Sequence, residues 1–144
     1  MGPFETRFVS IFGRMILLDT HVVVWLLTSP ERISKVALKA MAELDALGER
    51  PVVSSVTIYE IAYGARRGRI RLHVDEETFL ARMRVAFDFW PITDAIAFKA
   101  ASLPEPFHGD PMDRMIAATA ITLDCVLITA DERIRDANLC KVLW

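Results

Sequence analysis

The sequence predicts an α/β fold: a central, mostly parallel sheet of about four to five strands with helices on both faces. Three observations carry this expectation. Short apolar runs alternate with stretches of helical period along the chain, the pattern of a parallel sheet covered on both sides. The runs Met15-Ile16-Leu17-Leu18 and Cys125-Val126-Leu127-Ile128 contain no polar residue, as strands buried on both faces require. The length, 144 residues of which 53% are hydrophobic, with a mean hydropathy of +0.30, suffices for one domain with its own core.

Residues 1–14 have no clear period, and the first strand opens directly at a methionine. The domain is therefore expected over 15–144, with 1–14 as an N-terminal tail or start-site extension. Met15-Ile16-Leu17-Leu18-Asp19 reads as the first strand. Residues 20–27 are apolar behind a threonine, which fits a short helix, and Ser29-Pro30-Glu31 marks a turn. From 33 to 47, apolar residues recur at helical spacing, and Gly48 closes that helix. Pro51-Val52-Val53-Ser54 is a second strand. Thr57-Ile58-Tyr59-Glu60 has the spacing of a capping box, so a helix is expected from there to about Arg67, closed by Gly68. Residues 75–87 open on three acids and continue as an amphipathic helix. Phe89-Trp90-Pro91-Ile92 is extended, Thr93-Asp94 caps a helix to Ala101, and the prolines and glycine of 103–109 make a loop. Asp110 is placed as the N-cap of the next helix because Pro111 suits the first helical position, where its missing N–H would have no partner anyway. Small apolar residues to about Leu123 mark that helix as buried. A strand over 125–129, a short helix from Asp131 and a last strand over 139–143 complete the chain.

Composition excludes several classes. Charged residues are 25% and the net charge is −2, so any nucleic-acid contact has to come from a local basic patch. No apolar run reaches the roughly 18 residues of a membrane span. The best candidate, 16–27, is interrupted by Asp19-Thr20-His21. Phe8-Val9-Ser10-Ile11-Phe12 is shorter than a signal-peptide core of about 7–15 residues. A cytoplasmic protein is expected, with Cys125 and Cys140 as free thiols lacking CxxC spacing. There are no internal repeats, and neither GxGxxG nor GxxxxGK is present. A phospho-acceptor module would need an acidic pair at the end of the first strand and a lysine after the last. Only Asp19 is there, and Lys141 lies inside the last strand.

Four acids share a structural address. Asp19 ends the first strand, Glu60 opens the helix after the second, Asp113 lies in the first turn of the buried helix, and Asp131 follows the fourth strand. In a parallel α/β sheet these positions meet at the carboxyl edge, where ligands bind. Each acid also has a capping reading, which is weakest for Asp19 behind its apolar strand. Gathered at one edge, the acids repel unless a cation joins them. Oxygen ligands without a His or Cys cluster suit Mg²⁺ or Mn²⁺, and metal-assisted phosphodiester hydrolysis is the matching reaction class. Arg66, Arg67, Arg69 and Arg71 put four arginines in six residues, either a phosphate-attracting patch or a solvated helix end. Arg114, next to Asp113, is placed to touch substrate or to steady a carboxylate. His108 reads as a structural loop residue, and His21 and His73 belong to no constellation.

Four blocks in order resemble the PIN domain, and in particular the VapC-type toxins of bacterial toxin–antitoxin pairs. They are Met15-Ile16-Leu17-Leu18-Asp19-Thr20-His21-Val22, Ser54-Ser55-Val56-Thr57-Ile58-Tyr59-Glu60-Ile61, His108-Gly109-Asp110-Pro111-Met112-Asp113-Arg114-Met115-Ile116-Ala117 and Ile128-Thr129-Ala130-Asp131. The resemblance covers 15–144. It implies a three-layer α/β/α sandwich and an Mg²⁺- or Mn²⁺-dependent endoribonuclease, inhibited by a cognate antitoxin protein and often a homodimer. Asp19, Glu60, Asp113 and Asp131 match the family's acidic quartet, with Asp19 and Asp113 as direct metal ligands. Asp110 is an extra acid of the toxin branch, and Thr20 and Thr129 match polar positions beside the site. His21 stands where many relatives have Asn, and Met112 where Phe is common. A housekeeping RNA-processing nuclease and a catalytically silent binding module remain as alternatives.

Overall fold

A computed structural model describes residues 15–104, 107 and 109–144. The expected tail at 1–14, and His108, lie outside the described residues. Among the described residues, five three-residue strands form one sheet: β1 (Ile16–Leu18), β2 (Val52–Ser54), β3 (Asp88–Trp90), β4 (Val126–Ile128) and β5 (Lys141–Leu143). Every pairing is parallel, and the spatial order is β3-β2-β1-β4-β5. The expectation of a mostly parallel sheet of four to five strands resolves to five, all parallel.

Alternation along the strands divides the core. Ile16, Leu18, Val53 and Ile128 point to one face and pack with α1 (Thr20–Thr28), α2 (Lys35–Ala46) and α4 (Glu76–Ala86). Leu17, Val52 and Leu127 point to the other and pack with α6 (Pro111–Thr122) and α7 (Glu132–Ala137). The helix α5 (Asp94–Ala101) lies against α6 through Ile96, Ala100 and Ala118. The remaining helix, α3 (Ser55–Arg66), supplies Val56 to one core and Ile61 to the other. Leu17 and Leu18 are fully buried on opposite faces, so substituting either with a polar residue removes one of the two covers of the central strand. Among the described residues, no helix is long and apolar enough to cross a membrane. Cys125 and Cys140 are free thiols.

The chain runs outward from β1 through β2 to β3, then returns to the other side of β1 for β4 and β5. The direction of winding therefore reverses between β1 and β4, and a crevice opens outside the carboxyl ends of these strands. Helix N-termini line that edge, capped by Asp19, Ser54, Asp110 and Asp131. The capping box expected at Thr57 is corrected. Helix α3 begins two residues earlier, at Ser55, with the Ser54 hydroxyl accepting from Val56 N–H at 3.2 Å. Thr57 is buried inside the helix, so Glu60 is not its capping partner.

Candidate active site

Asp19 is 2% exposed at the end of the central strand. Its N–H continues the sheet by donating to Ile128 O at 3.0 Å. Its Oδ1 accepts from Thr20 N–H at 2.8 Å, which caps α1, and its Oδ2 accepts from the Thr129 hydroxyl at 2.7 Å. The Thr129 hydroxyl in turn accepts from Asp131 N–H at 3.0 Å. One hydroxyl therefore ties the ends of β1 and β4 to the start of α7.

Glu60 reaches the same place from α3. Its Oε1 accepts from the Thr20 hydroxyl at 2.6 Å, and Thr20 Oγ1 lies 2.9 Å from Thr57 Oγ1. A hydroxyl has one proton, so with the Thr20 proton on Glu60 the Thr57 hydroxyl donates to Thr20. Burial pushes the Glu60 carboxyl above its ordinary value. The Thr20 bond opposes that, and the charges of Asp19 and Asp110 add to it.

Asp113 sits in the first turn of α6, whose N-cap Asp110 accepts from Met112 N–H at 2.9 Å and Asp113 N–H at 3.4 Å. Burial, followed by the charges of Asp19, Asp110, Glu60 and Asp131, pushes the Asp113 carboxyl up to about 7. Every other acid of the edge acts on this one group. Asp131 behaves differently. Burial raises it and is the largest single influence, yet the hydrogen bonds and charge of Arg133 together hold it below the ordinary value. Arg133 Nη2 lies 3.3 Å from Asp131 Oδ2, and Arg133 N–H donates to Oδ1 at 2.9 Å.

Asp19, Thr20, Glu60 and Asp113 line an open cleft of about 570 Å³, faced by Tyr59, Tyr63 and Arg69. Asp131 and Thr129 support it from the β4 side. A more enclosed hollow of about 310 Å³ behind it, between α1, α3 and α4, is lined mainly by apolar side chains and holds no carboxylate, so the acid chemistry belongs to the open cleft.

The four arginines do not act as one patch. Arg66 donates to Glu76 at 3.1 and 3.3 Å, and Arg67 to the Tyr63 hydroxyl at 2.8 and 3.1 Å. Arg69 lines the acid cleft, whereas Arg71 lines the apolar hollow. Arg114 turns away to the loop before α6, donating to the carbonyls of Ala100, Leu103 and Phe107 at 3.1, 2.9 and 3.4 Å.

Several residues at the cleft escaped the sequence reading. His21 Nε2 accepts from Ala130 N–H at 3.0 Å, so in the neutral ring the proton sits on Nδ1, 3.5 Å from Asp19 Oδ2. That histidine belongs to the site. Arg133 was overlooked because only its spacing from Asp131 marks it. Tyr59 and Tyr63 were overlooked although they are four apart on the helix that carries Glu60.

Among the described residues, no three His, Cys, Asp or Glu side chains are gathered as a ready metal cage. The donors are carboxylates and hydroxyls, hard oxygen groups, and the charges of the carboxylates add to burial in raising Asp113. Their chemistry fits a cation held through one or two carboxylates with water completing its shell.

A carboxylate cleft at the switch point of a parallel 3-2-1-4-5 sheet defines an acid-site α/β protein, and residues 16–138 match the PIN domain. The chain belongs to the PIN-domain family and is a homologue of its VapC ribonucleases. It is 36% identical over 120 residues to Ribonuclease VapC22 of Mycobacterium tuberculosis, covering 83% of this chain and 89% of that protein. The fold is similar to that of VapBC2 from Rickettsia felis bound to a promoter DNA fragment. There the TM-score is 0.67 at 14% identity, covering 90% of this chain and 97% of that one. It is also similar to a toxin–antitoxin complex from Klebsiella pneumoniae, with a TM-score of 0.63 at 22% identity, covering 90% and 96%.

Proposed function

We propose that this protein is the toxin of a toxin–antitoxin pair, an Mg²⁺- or Mn²⁺-dependent endoribonuclease that hydrolyses RNA phosphodiester bonds. The observation that carries the reading is the shared cleft of Asp19, Glu60 and Asp113, brought from β1, α3 and α6 to the switch point. Asp19 and Asp113 would hold the ion, with Glu60, Asp131 and Asp110 as further acids. A divalent cation there supplies Lewis-acid stabilisation of the phosphate and acidifies water. The chain does the rest. Thr20 holds Glu60 Oε1, leaving Oε2 to take the proton of the attacking water, and the raised affinity of that carboxyl for a proton suits it to the role. Arg69 draws the phosphate into the cleft. The structural likenesses to toxin–antitoxin complexes support a protein antitoxin as partner, and a homodimer is part of the same proposal.

The test is cleavage of a labelled RNA by the purified chain with Mg²⁺ and with EDTA. Asp19→Asn and Asp113→Asn should each lower the rate at least about 100-fold while circular dichroism is unchanged, a loss in line with removing a group that stabilises developing charge. Asn is preferred to Ala at 19 because it keeps the α1 cap. Cleavage in EDTA, or an unchanged rate in either variant, would refute the assignment. Growth arrest on expression, relieved by a neighbouring gene product, separates a toxin from a housekeeping nuclease.

A further inference from the structure

The α3 side of the cleft, which supplies Glu60, also carries side chains the hydrolysis does not use. Tyr59 and Tyr63 are 57% and 44% exposed on consecutive turns of α3, while Glu60, one residue from Tyr59, points among the acids. Their rings are nearly parallel, 16° apart with centroids 5.9 Å apart. One turn further on, the Arg67 guanidinium lies over the Tyr63 ring, 5.2 Å from its centroid, and donates to its hydroxyl through Nε and Nη2. Positions 59, 63 and 67 thus present two aromatic rings and a planar cation in a row on one helix face. Their orientation is fixed by contacts within the row.

We propose that Tyr59 and Tyr63, extended by Arg67, form a stacking ladder that grips unpaired nucleobases beside the scissile phosphate and so selects single-stranded over duplex RNA. The proposal rests on the ribonuclease reading of the same cleft. A phosphate held near Asp19, Glu60 and Asp113 has the neighbouring nucleotides of its strand within reach of this wall, where Arg69 meets the backbone charge and the rings meet the bases. Every base has a π face, so the ladder binds without reading sequence. In a duplex those faces are already stacked, and recognition falls back on phosphate and sugar contacts. Two rings beside the Arg69 cation favour a polyanion carrying flat, uncharged groups over an apolar peptide, which would leave Arg69 unmatched.

The experiment measures binding of the full chain to a labelled single-stranded RNA, and to the same strand annealed to its complement, in EDTA so that neither is cut. Cleavage is then followed with Mg²⁺. Tyr59→Ala/Tyr63→Ala should weaken single-strand binding about 10-fold or more, since one stacked base contributes roughly 1–3 kcal/mol. Duplex binding and melting temperature should be unchanged. Tyr59→Phe/Tyr63→Phe keeps the rings and should bind within about threefold of the wild type, because stacking uses the ring and not the hydroxyl. Equal losses for single strand and duplex, or full single-strand affinity in the alanine variant, overturn the ladder. So does an alanine variant that loses only antitoxin binding, which would make the row a protein contact. In each of these cases a wild type that still cuts RNA leaves the ribonuclease reading intact. A wild type that neither binds nor cuts RNA overturns both.

Discussion

Asp113 concentrates the electrostatic cost of the site. Its carboxyl is pushed from an ordinary 3.8 up to about 7, so the folded chain holds that proton more tightly than the unfolded chain does. The stability this provides is complete below about pH 4 and is lost as pH rises towards 7. Without divalent ions, the melting temperature should therefore fall between pH 5 and pH 8. Asp113→Asn should flatten that fall and stabilise the protein at pH 8 by roughly 1–2 kcal/mol, discounted from the full shift because the group is partly solvated. A variant that melts no higher than the wild type at pH 8 would show that Asp113 carries no such burden. At this scale the sequence was informative for acids and weak for their neighbours. Asp19 stood out as a carboxylate directly after an apolar strand, but its capping reading, ranked weakest from sequence, is corrected: its Oδ1 accepts from Thr20 N–H and caps α1. Thr57 was misread because a capping box is a local pattern, while its actual partner, Thr20, lies 37 residues away. His21 was passed over for the same reason, since its fixed tautomer depends on Ala130, 109 residues on.

The element that organises the cleft walls is α3 together with the turn that follows it. Gly68, at φ +73°, reverses the chain so that Arg69 and Ile70 N–H both donate back to Gly64 O, at 2.8 and 3.2 Å. Ile70 then lies against Gly64, where an added Cβ would meet Ile70 Cδ1 at 2.8 Å and Cγ1 at 3.2 Å. Gly64→Ala should therefore cost about 1 kcal/mol, the low end for overpacking because a side-chain tip can yield. It should also move Arg69, raising KM for RNA with little change in kcat. A loss of kcat at constant KM would place the effect on Glu60 instead. This turn explains why the arginine run could not be resolved from sequence. Four cations in six residues look like one patch, but the helix end and the reversal at Gly68 send them to Glu76, Tyr63, the acid cleft and the apolar hollow. Helix α6 offers a second case. Arg114 looked like a substrate contact because it adjoins Asp113, yet adjacent helical residues face different ways. Arg114→Met should release the carbonyls of Ala100, Leu103 and Phe107 and cost about 2–3 kcal/mol, the range for hydrogen bonds from a charged donor. The measurements are hydrogen exchange at Leu103 and Phe107 and chemical denaturation, and unaltered exchange would contradict the clamp.

At the scale of the whole molecule, alternating strands and helices made the parallel sheet legible, and the carboxyl-edge rule made the meeting of the acids legible without any distance. The strand order was not, because three-residue strands carry too little pattern to say which neighbours which. Order matters here: placing β4 directly beside β1 brings Thr129 under Asp19 and leaves the acids where two windings part. A chain of net charge −2 that gathers five carboxylates at one edge, Asp19, Glu60, Asp110, Asp113 and Asp131, is poised for a cation to stabilise it. An ion that binds only the folded state stabilises by about 2.7 kcal/mol at 100 times its Kd. Protons compete for the same carboxylates, Asp113 above all, so occupancy should fall as pH drops below about 7. Mn²⁺ or Mg²⁺ should thus raise the melting temperature by several degrees at pH 8 and by little at pH 5. KCl matched for ionic strength should do neither, since screening is not coordination. Asp19→Asn and Asp113→Asn should each remove most of the gain, whereas Arg66→Ala, an exposed residue paired to Glu76 outside the cleft, should keep it. If KCl reproduces the gain, or if it survives in both acid variants, the cation is relieving diffuse repulsion and the edge is not a binding site.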